Sequence, residues 1–297
     1  VSSSFVKRLL RASLVLPQGT FPGTDSNTLV LENYRMEAVL SGAGNFTNQC
    51  GLRIFGMRQV DMNAATVLFG QDGNPININA RAILILEAND SGNWLQVFEG
   101  QFTEAQPDYR SLPDVALTIN AVTGMGQQIL SAAPSSFSGG TDVAGLCQQL
   151  ASQMGYAFEN NGVTGQLNTP YLSGTLMDQF REVCAAAKVD YYFDSKSTLV
   201  IAPSNQPRQG KNAVVLSATS GLVGYVSLTR FGIELDCLWN AAIELGSPVQ
   251  IENSDVPGTN GLWFPYKFEH TLESVKPQGR WFSHLECMRF PASTVGA

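Results

Sequence analysis

Two histidines, His270 and His284, are the only imidazoles in this 297-residue chain. Metal binding or general-base chemistry by an imidazole would therefore have to use them. They can be placed on neighbouring antiparallel strands. Glu286 lies two residues from His284, which puts both on one face of a strand. A metal set of His270, His284, Glu286 and Cys287 can then be drawn. No close-spaced ligand pair of the kind zinc sites use supports it. The simpler expectation is strand histidines at a barrel or subunit surface. A serine or cysteine nucleophile would need one of the same two imidazoles as its base. No GxSxG turn occurs, and neither Cys184 nor Cys237 sits in a supporting motif. Carboxylate pairs for glycoside hydrolysis need not be close in sequence, yet Glu182, Glu234, Asp236 and Glu252 each read as solvated faces. Gly124-Met125-Gly126 lacks the glycine spacing and the Lys-Ser/Thr of a phosphate loop. Tyr191, Tyr192, Phe193, Trp239 and Trp263 fall on strand patterns, where packing is the default. The expectation is no catalytic residue, no metal ligand and no cofactor.

Bulk composition points the same way. The apolar fraction is 44% and the charged fraction 14%, against roughly 25% charged in ordinary soluble proteins. A chain so poor in charge often covers surface against partners. The net charge of −7 carries no basic cluster, which disfavours a phosphate-binding groove and suits a surface that DNA must pass without sticking. Five cysteines, Cys50, Cys147, Cys184, Cys237 and Cys287, are odd in number and widely spaced, as expected of buried reduced thiols. Val6-Lys7-Arg8 precedes an apolar stretch broken by Arg11 and Ser13 and closed by Pro17, unlike a signal peptide. No run reaches membrane-spanning length. A soluble protein made in the cytoplasm is expected.

The elements that would position any site follow from periodicity. Strands are expected over Phe5 to Leu16, Leu29 to Leu40, Gly51 to Val60, Ala82 to Leu86, Trp94 to Phe102 and Val115 to Val122. Turns fall at Gln71-Asp72-Gly73-Asn74-Pro75 and at Asn89 to Asn93. A helix capped by Thr141 or Asp142 has the stripe Val143, Leu146, Cys147, Leu150, Met154. A short strand follows at Tyr156 to Phe158. Thr175 and Asp178 form a capping box for a second helix with the stripe Leu176, Phe180, Val183, Cys184, Ala187. Val189 to Phe193 and Thr198 to Ala202 make a hairpin. Pro203 to Lys211 reads as a linker. After it Ile233-Leu235-Cys237, Val249-Ile251 and Phe264-Tyr266-Phe268-His270 alternate with polar residues, and Phe282 to Phe290 closes the chain. The fold expected is mainly β with an α+β insertion, built as a first β-barrel (1–123), a two-helix α+β domain (124–205) and a second β-barrel (206–297).

The two β parts echo each other. Ile85 to Asp90, a loop and Trp94 recur as Gln250 to Asp255, a loop and Trp263, and Phe98-Glu99 recurs as Phe268-Glu269. Two similar barrels flanking the insertion are the expectation.

A wider pattern runs through the last third. It comprises Gly221-Leu222-Val223-Gly224-Tyr225, Gly232-Ile233-Glu234-Leu235, Leu238-Trp239-Asn240-Ala241, Gly246 to Ile251, Gly261-Leu262-Trp263, Phe268-Glu269-His270 and Gly279-Arg280-Trp281-Phe282. It resembles the second barrel of the phage baseplate hub family, also called the late control protein D family, to which the hub part of type VI secretion spike proteins is related. Leu172 to Pro203 resembles the middle domain of that family. Ala241 departs from it, since related chains often carry a proline near there. The resemblance implies a non-enzymatic structural subunit of the virion tail baseplate, assembled in the host cytoplasm. It implies a homotrimer whose six similar barrels form a pseudo-sixfold ring between a hexameric tail tube, or tube-initiator protein, and a trimeric central spike. DNA would cross the channel without specific binding, and no membrane is involved. Baseplate wedge and tape-measure proteins are further candidate neighbours. Two competing readings are a carbohydrate- or receptor-binding β protein using Trp94, Trp239 or Trp263, and a cell-wall hydrolase.

Overall fold

The computed structural model describes residues 8–67, 81–90, 92–110, 112–129 and 132–291. The turn expected at Gln71 to Pro75 and the start of the first strand, residues 5–7, lie outside them. The chain is mainly β. It divides into two compact units: Val1–Leu40, Asn48–Thr123 and His270–Trp281 form the first, and Ser41–Thr47, Gly124–Glu269 and Phe282–Ala297 the second.

The first unit holds β1 (Leu10–Val15), β2 (Thr28–Glu32), β3 (Met36–Ala43), β4 (Gln49–Phe55), α1 (Gln59–Ala65), β5 (Ile83–Asp90), β6 (Asn93–Asp108) and β7 (Ala116–Val122). Its strands run in the order β3-β4-β7-β6-β5-β1-β2. Period-2 alternation decides what is buried. Leu10, Ala12 and Leu14 of β1 point inward with Met36, Ala38 and Leu40 of β3 and Cys50, Leu52 and Ile54 of β4. Two expectations need correction. The run Leu29 to Leu40 is two strands, separated at Asn33, whose φ of 63° no strand accepts. The strand expected to reach Val60 stops at Phe55. Gly56, at φ 80°, turns the chain, and Met62 and Ala65 then bury one side of a short helix.

The second unit begins with α2 (Met125–Ile129), β8 (Ser135–Ser136), β9 (Gly140–Asp142) and α3 (Val143–Met154). It continues through β10 (Phe158–Asn160), β11 (Gln166–Asn168), β12 (Tyr171–Leu172), α4 (Leu176–Ala187), β13 (Val189–Phe193) and β14 (Leu199–Pro203). The Asp142 carboxylate accepts from Gly145 N at 2.7 Å and starts α3, and Thr175 and Asp178 form the reciprocal capping box of α4. The stripe residues Leu146, Cys147, Leu150, Phe180, Val183 and Cys184 meet in one core with Tyr191, Phe193, Leu199 and Ile201 of the β10-β14-β13 sheet. Both helices and the hairpin lie where the sequence places them.

The rest of this unit is β15 (Val214–Leu216), β16 (Leu222–Leu228), β17 (Ile233–Leu238), β18 (Val249–Ile251), β19 (Gly261–Ser274) and β20 (Trp281–Arg289). Strands β16, β17, β20 and β19 are neighbours in that order. Strand β18 pairs with β19, and β15 runs parallel to β18. Ile233, Leu235, Cys237, Val249, Ile251, Trp263, Leu285 and Cys287 fill its core.

Candidate functional site

The residues whose types allow chemistry do not converge. Along β20 the side chains of Ser283, Leu285 and Cys287 are buried, while His284 and Glu286 point to the other face. Cys287 therefore cannot join them. His284 Nδ1 lies 2.9 Å from Asp236 Oδ1 on β17, in register with it. Glu286 accepts from Tyr266 Oη at 2.6 Å and from Lys267 Nζ at 2.7 Å. Burial and the bond to Glu286 push the Tyr266 phenol up to about 12. His270 is buried in the first unit, and burial pushes its imidazole down to about 3, so it is neutral. Among the described residues no group of three or more His, Cys, Asp or Glu side chains is placed to hold a metal.

The other candidates have structural settings. Glu182, Asp236 and Glu252 are solvated, and half-buried Glu234 lies opposite Glu286 across the ladder. Trp263 is buried, with Nε1 donating to Thr259 O at 2.8 Å. Half-buried Trp94 has the Arg11 guanidinium over its ring at 4.5 Å, and Trp239 is half-buried. Trp263 is therefore withdrawn from solvent, and Arg11 covers one face of Trp94. Cys50, Cys147, Cys184, Cys237 and Cys287 are all buried free thiols. Burial pushes the Cys237 thiol up to about 12.

Sequence reasoning missed two ion clusters. In the second unit Arg208 belongs to the stretch read as a linker, yet its side chain is only 3% exposed. Its guanidinium donates to both oxygens of Glu159 on β10 and to Glu244 Oε2 at 3.0 Å, with Asp194 at 3.5 Å. Ser195 Oγ and Lys211 Nζ also reach Glu244. Arg208 thus ties the α+β elements to the 239–248 loop of the later strands. The hydrogen bonds from Arg208 hold the Glu159 carboxyl below its usual range. A lone arginine in a Pro-Gln-Gly-rich stretch gives no periodic signal for this.

In the first unit Glu273 is nearly fully buried. It accepts from Lys276 Nζ at 2.8 Å, from Arg280 N at 2.8 Å and from the Arg280 guanidinium at 3.2 Å. Burial alone would raise its carboxyl, but the bonds from Lys276 and Arg280 prevail and hold it at about 2. Lys276 also reaches Glu37 on β3 at 3.0 Å, and Arg35 meets the same oxygen at 3.3 Å. These groups border a cleft of about 280 Å³ with Arg53, Asn120 and Thr271. The only sequence signal is an acid followed by Lys and Arg across a Pro-Gln-Gly turn.

Several large apolar side chains are exposed on two edge strands. Among the described residues, strand β16 pairs only with β17, and β2 only with β1. On and beside β16, Tyr225, Leu228 and Phe231 are 74%, 65% and 66% exposed, and Val30 on β2 is 54% exposed. No helix among the described residues is long and apolar enough to cross a membrane.

Solved structures share this fold. The 43 kDa tail protein of prophage MuSo2 from Shewanella oneidensis matches with a TM-score of 0.60 at 9% identity, over 95% of this chain and 96% of that one. The tail protein from Neisseria meningitidis MC58 gives 0.61 at 11% identity, over 95% and 96%. The E. coli c3393 protein, a type VI secretion component described as structurally similar to T4 tail proteins gp27 and gp5, gives 0.59 at 7% identity, over 87% and 74%. No curated protein matches the sequence. The fold is that of two phage tail proteins and of a type VI secretion component. More particularly, residues 35–282 match the baseplate hub gp41 family, and the chain belongs to it. It is a structural, non-enzymatic component of a phage tail baseplate.

Proposed function

We propose that this chain is the ring-forming subunit of the hub, joining the hexameric tail tube to the trimeric central spike. Three copies supply six similar barrels, taken from residues 1–123 and 206–297, with residues 124–205 as the α+β insertion between them. Such a ring stacks on sixfold symmetry on one side and threefold symmetry on the other, and leaves a channel for DNA. The observation that carries the reading is the family match over residues 35–282. Unpaired strand edges support it, because an exposed edge needs a partner or it aggregates. The charged fraction of 14% and the net charge of −7 support it too, since a neutral or acidic lumen does not hold DNA. Wedge and tape-measure proteins are secondary neighbours. Electron microscopy of the chain bound to its tube neighbour tests the proposal. A closed ring of six similar lobes from three chains is expected, and a ring of another order would overturn it.

A further inference from the structure

The hub reading leaves open which surfaces close the ring, and one edge of the second unit is built unlike the others. Between Val223 and Ser227 strand β16 carries two residues more than its partner β17: Val223 pairs with Asp236 and Ser227 with Glu234. Gly224 sits at φ 69° in this bulge. Bulges re-aim side chains and are concentrated at edges and functional sites. Here Val226 is buried and Tyr225 is turned out to 74% exposure. Leu228 follows on the same strand, and Phe231 follows in the turn under the Arg230 guanidinium, 5.6 Å from its ring. Two aromatics and a leucine exposed to this extent present on the order of 400 Å² of largely apolar surface, a size at which patches are commonly functional. Tyrosine and arginine are the residue types that most often anchor interfaces.

The strand itself limits the partner. Leu222 to Leu228 contains no charged residue, so nothing on it repels an incoming strand. The free strand in the first unit is β2, which offers its own unpaired edge, exposed Val30 and a terminal exposed Glu32. Asp25 precedes it and is also exposed. The only charge in the β16–β17 turn is Arg230, of opposite sign. A closed ring of odd order needs two different surfaces on each subunit, because self-complementary surfaces give twofold pairs. The two edges differ as such a contact requires.

We propose that β16, led by Tyr225, adds to the β2 edge of a second copy of this chain. The inference rests on the hub reading. Its test mixes two full-length single variants, Val30→Cys and Leu228→Cys, with the tube neighbour present, and treats them with a short bismaleimide. The five native thiols are buried and do not compete. Only contact between copies can join the two variants. A cross-linked dimer is expected, with at least tenfold less from Val39→Cys, which lies mid-strand on a sheet face, in place of Val30→Cys. Independently, Tyr225→Glu should leave the melting temperature of the isolated chain unchanged and lower the ring fraction at least tenfold. Rings that persist in Tyr225→Glu without the Val30–Leu228 cross-link would overturn this contact and leave the hub standing. Absence of rings from the unmodified chain in every condition would defeat the hub reading and this contact with it.

Discussion

Arg208 Nε donates to Glu159 Oε1 at 2.7 Å, from a side chain almost wholly withdrawn from water. The same guanidinium faces Glu244 and Asp194, so it is shared by three carboxylates, with Lys211 adding a longer contact to Glu244. Removing one member of a buried ion group strands the others and costs about 3–5 kcal/mol. Arg208→Ala should lose that much in urea unfolding. Arg208→Lys should lose less but still measurably, because an ammonium cannot span both oxygens of Glu159. A loss below about 1 kcal/mol for Arg208→Ala would show that the cluster is not what joins these elements.

His270 gives a pH dependence with a definite sign. Its imidazole, lowered from 6.5 to about 3 by burial, is neutral in the folded chain where the unfolded chain is protonated. Between those values the unfolded state binds the extra proton, so stability falls as pH drops, by up to about 1.4 kcal/mol per pH unit. Glu273 acts lower: its stabilisation is full above 4.5 and is lost as pH falls towards about 2. The interval from pH 6.5 to 4.5 therefore isolates His270 from Glu273. His270→Gln should flatten the stability curve there, and an unchanged slope would assign the loss to other groups.

The capping box of α4 should be worth about 1 kcal/mol. In Thr175→Ala, Asp178 N and the Asp178 carboxylate both lose a hydrogen-bond partner. Chemical denaturation should show that loss, with Thr175→Ser recovering most of it.

Burial of all five cysteines predicts inert thiols. A thiol-specific chromogenic reagent should find almost none in the folded chain and five after denaturation. Rapid reaction of any one under native conditions would contradict its buried placement.

Much of this was legible in the sequence, and the reasons are local. The stripe Val143 to Met154 and the Thr175–Asp178 cap define α3 and α4 because short-range spacing and a polar cap are sufficient. Many strands of both β parts follow from alternation, but β15 and β16 were not legible, since β15 is three residues long and β16 buries only Val226. Helix α1 was not legible, since Gln59 to Ala65 is a short amphipathic run directly behind a strand, and Gly56 alone marks the change. Arg208 and Glu273 were missed because their partners are brought to them by tertiary structure. The hairpins containing Trp94 and Trp263 are both antiparallel pairs, but Trp94 lies opposite Asn89 and packs under Arg11, while Trp263 lies opposite Val249 and enters the core. The bulge at Gly224 lies in a stretch whose likeness to the hub family was visible, yet its effect on Tyr225 needed the register of β16 against β17.

Native mass spectrometry of the purified chain, alone and with its tail-tube neighbour, tests the central claim most directly. A species of three times the 32.0 kDa chain mass in either condition is the predicted result. A monomer in both would contradict the ring-forming hub.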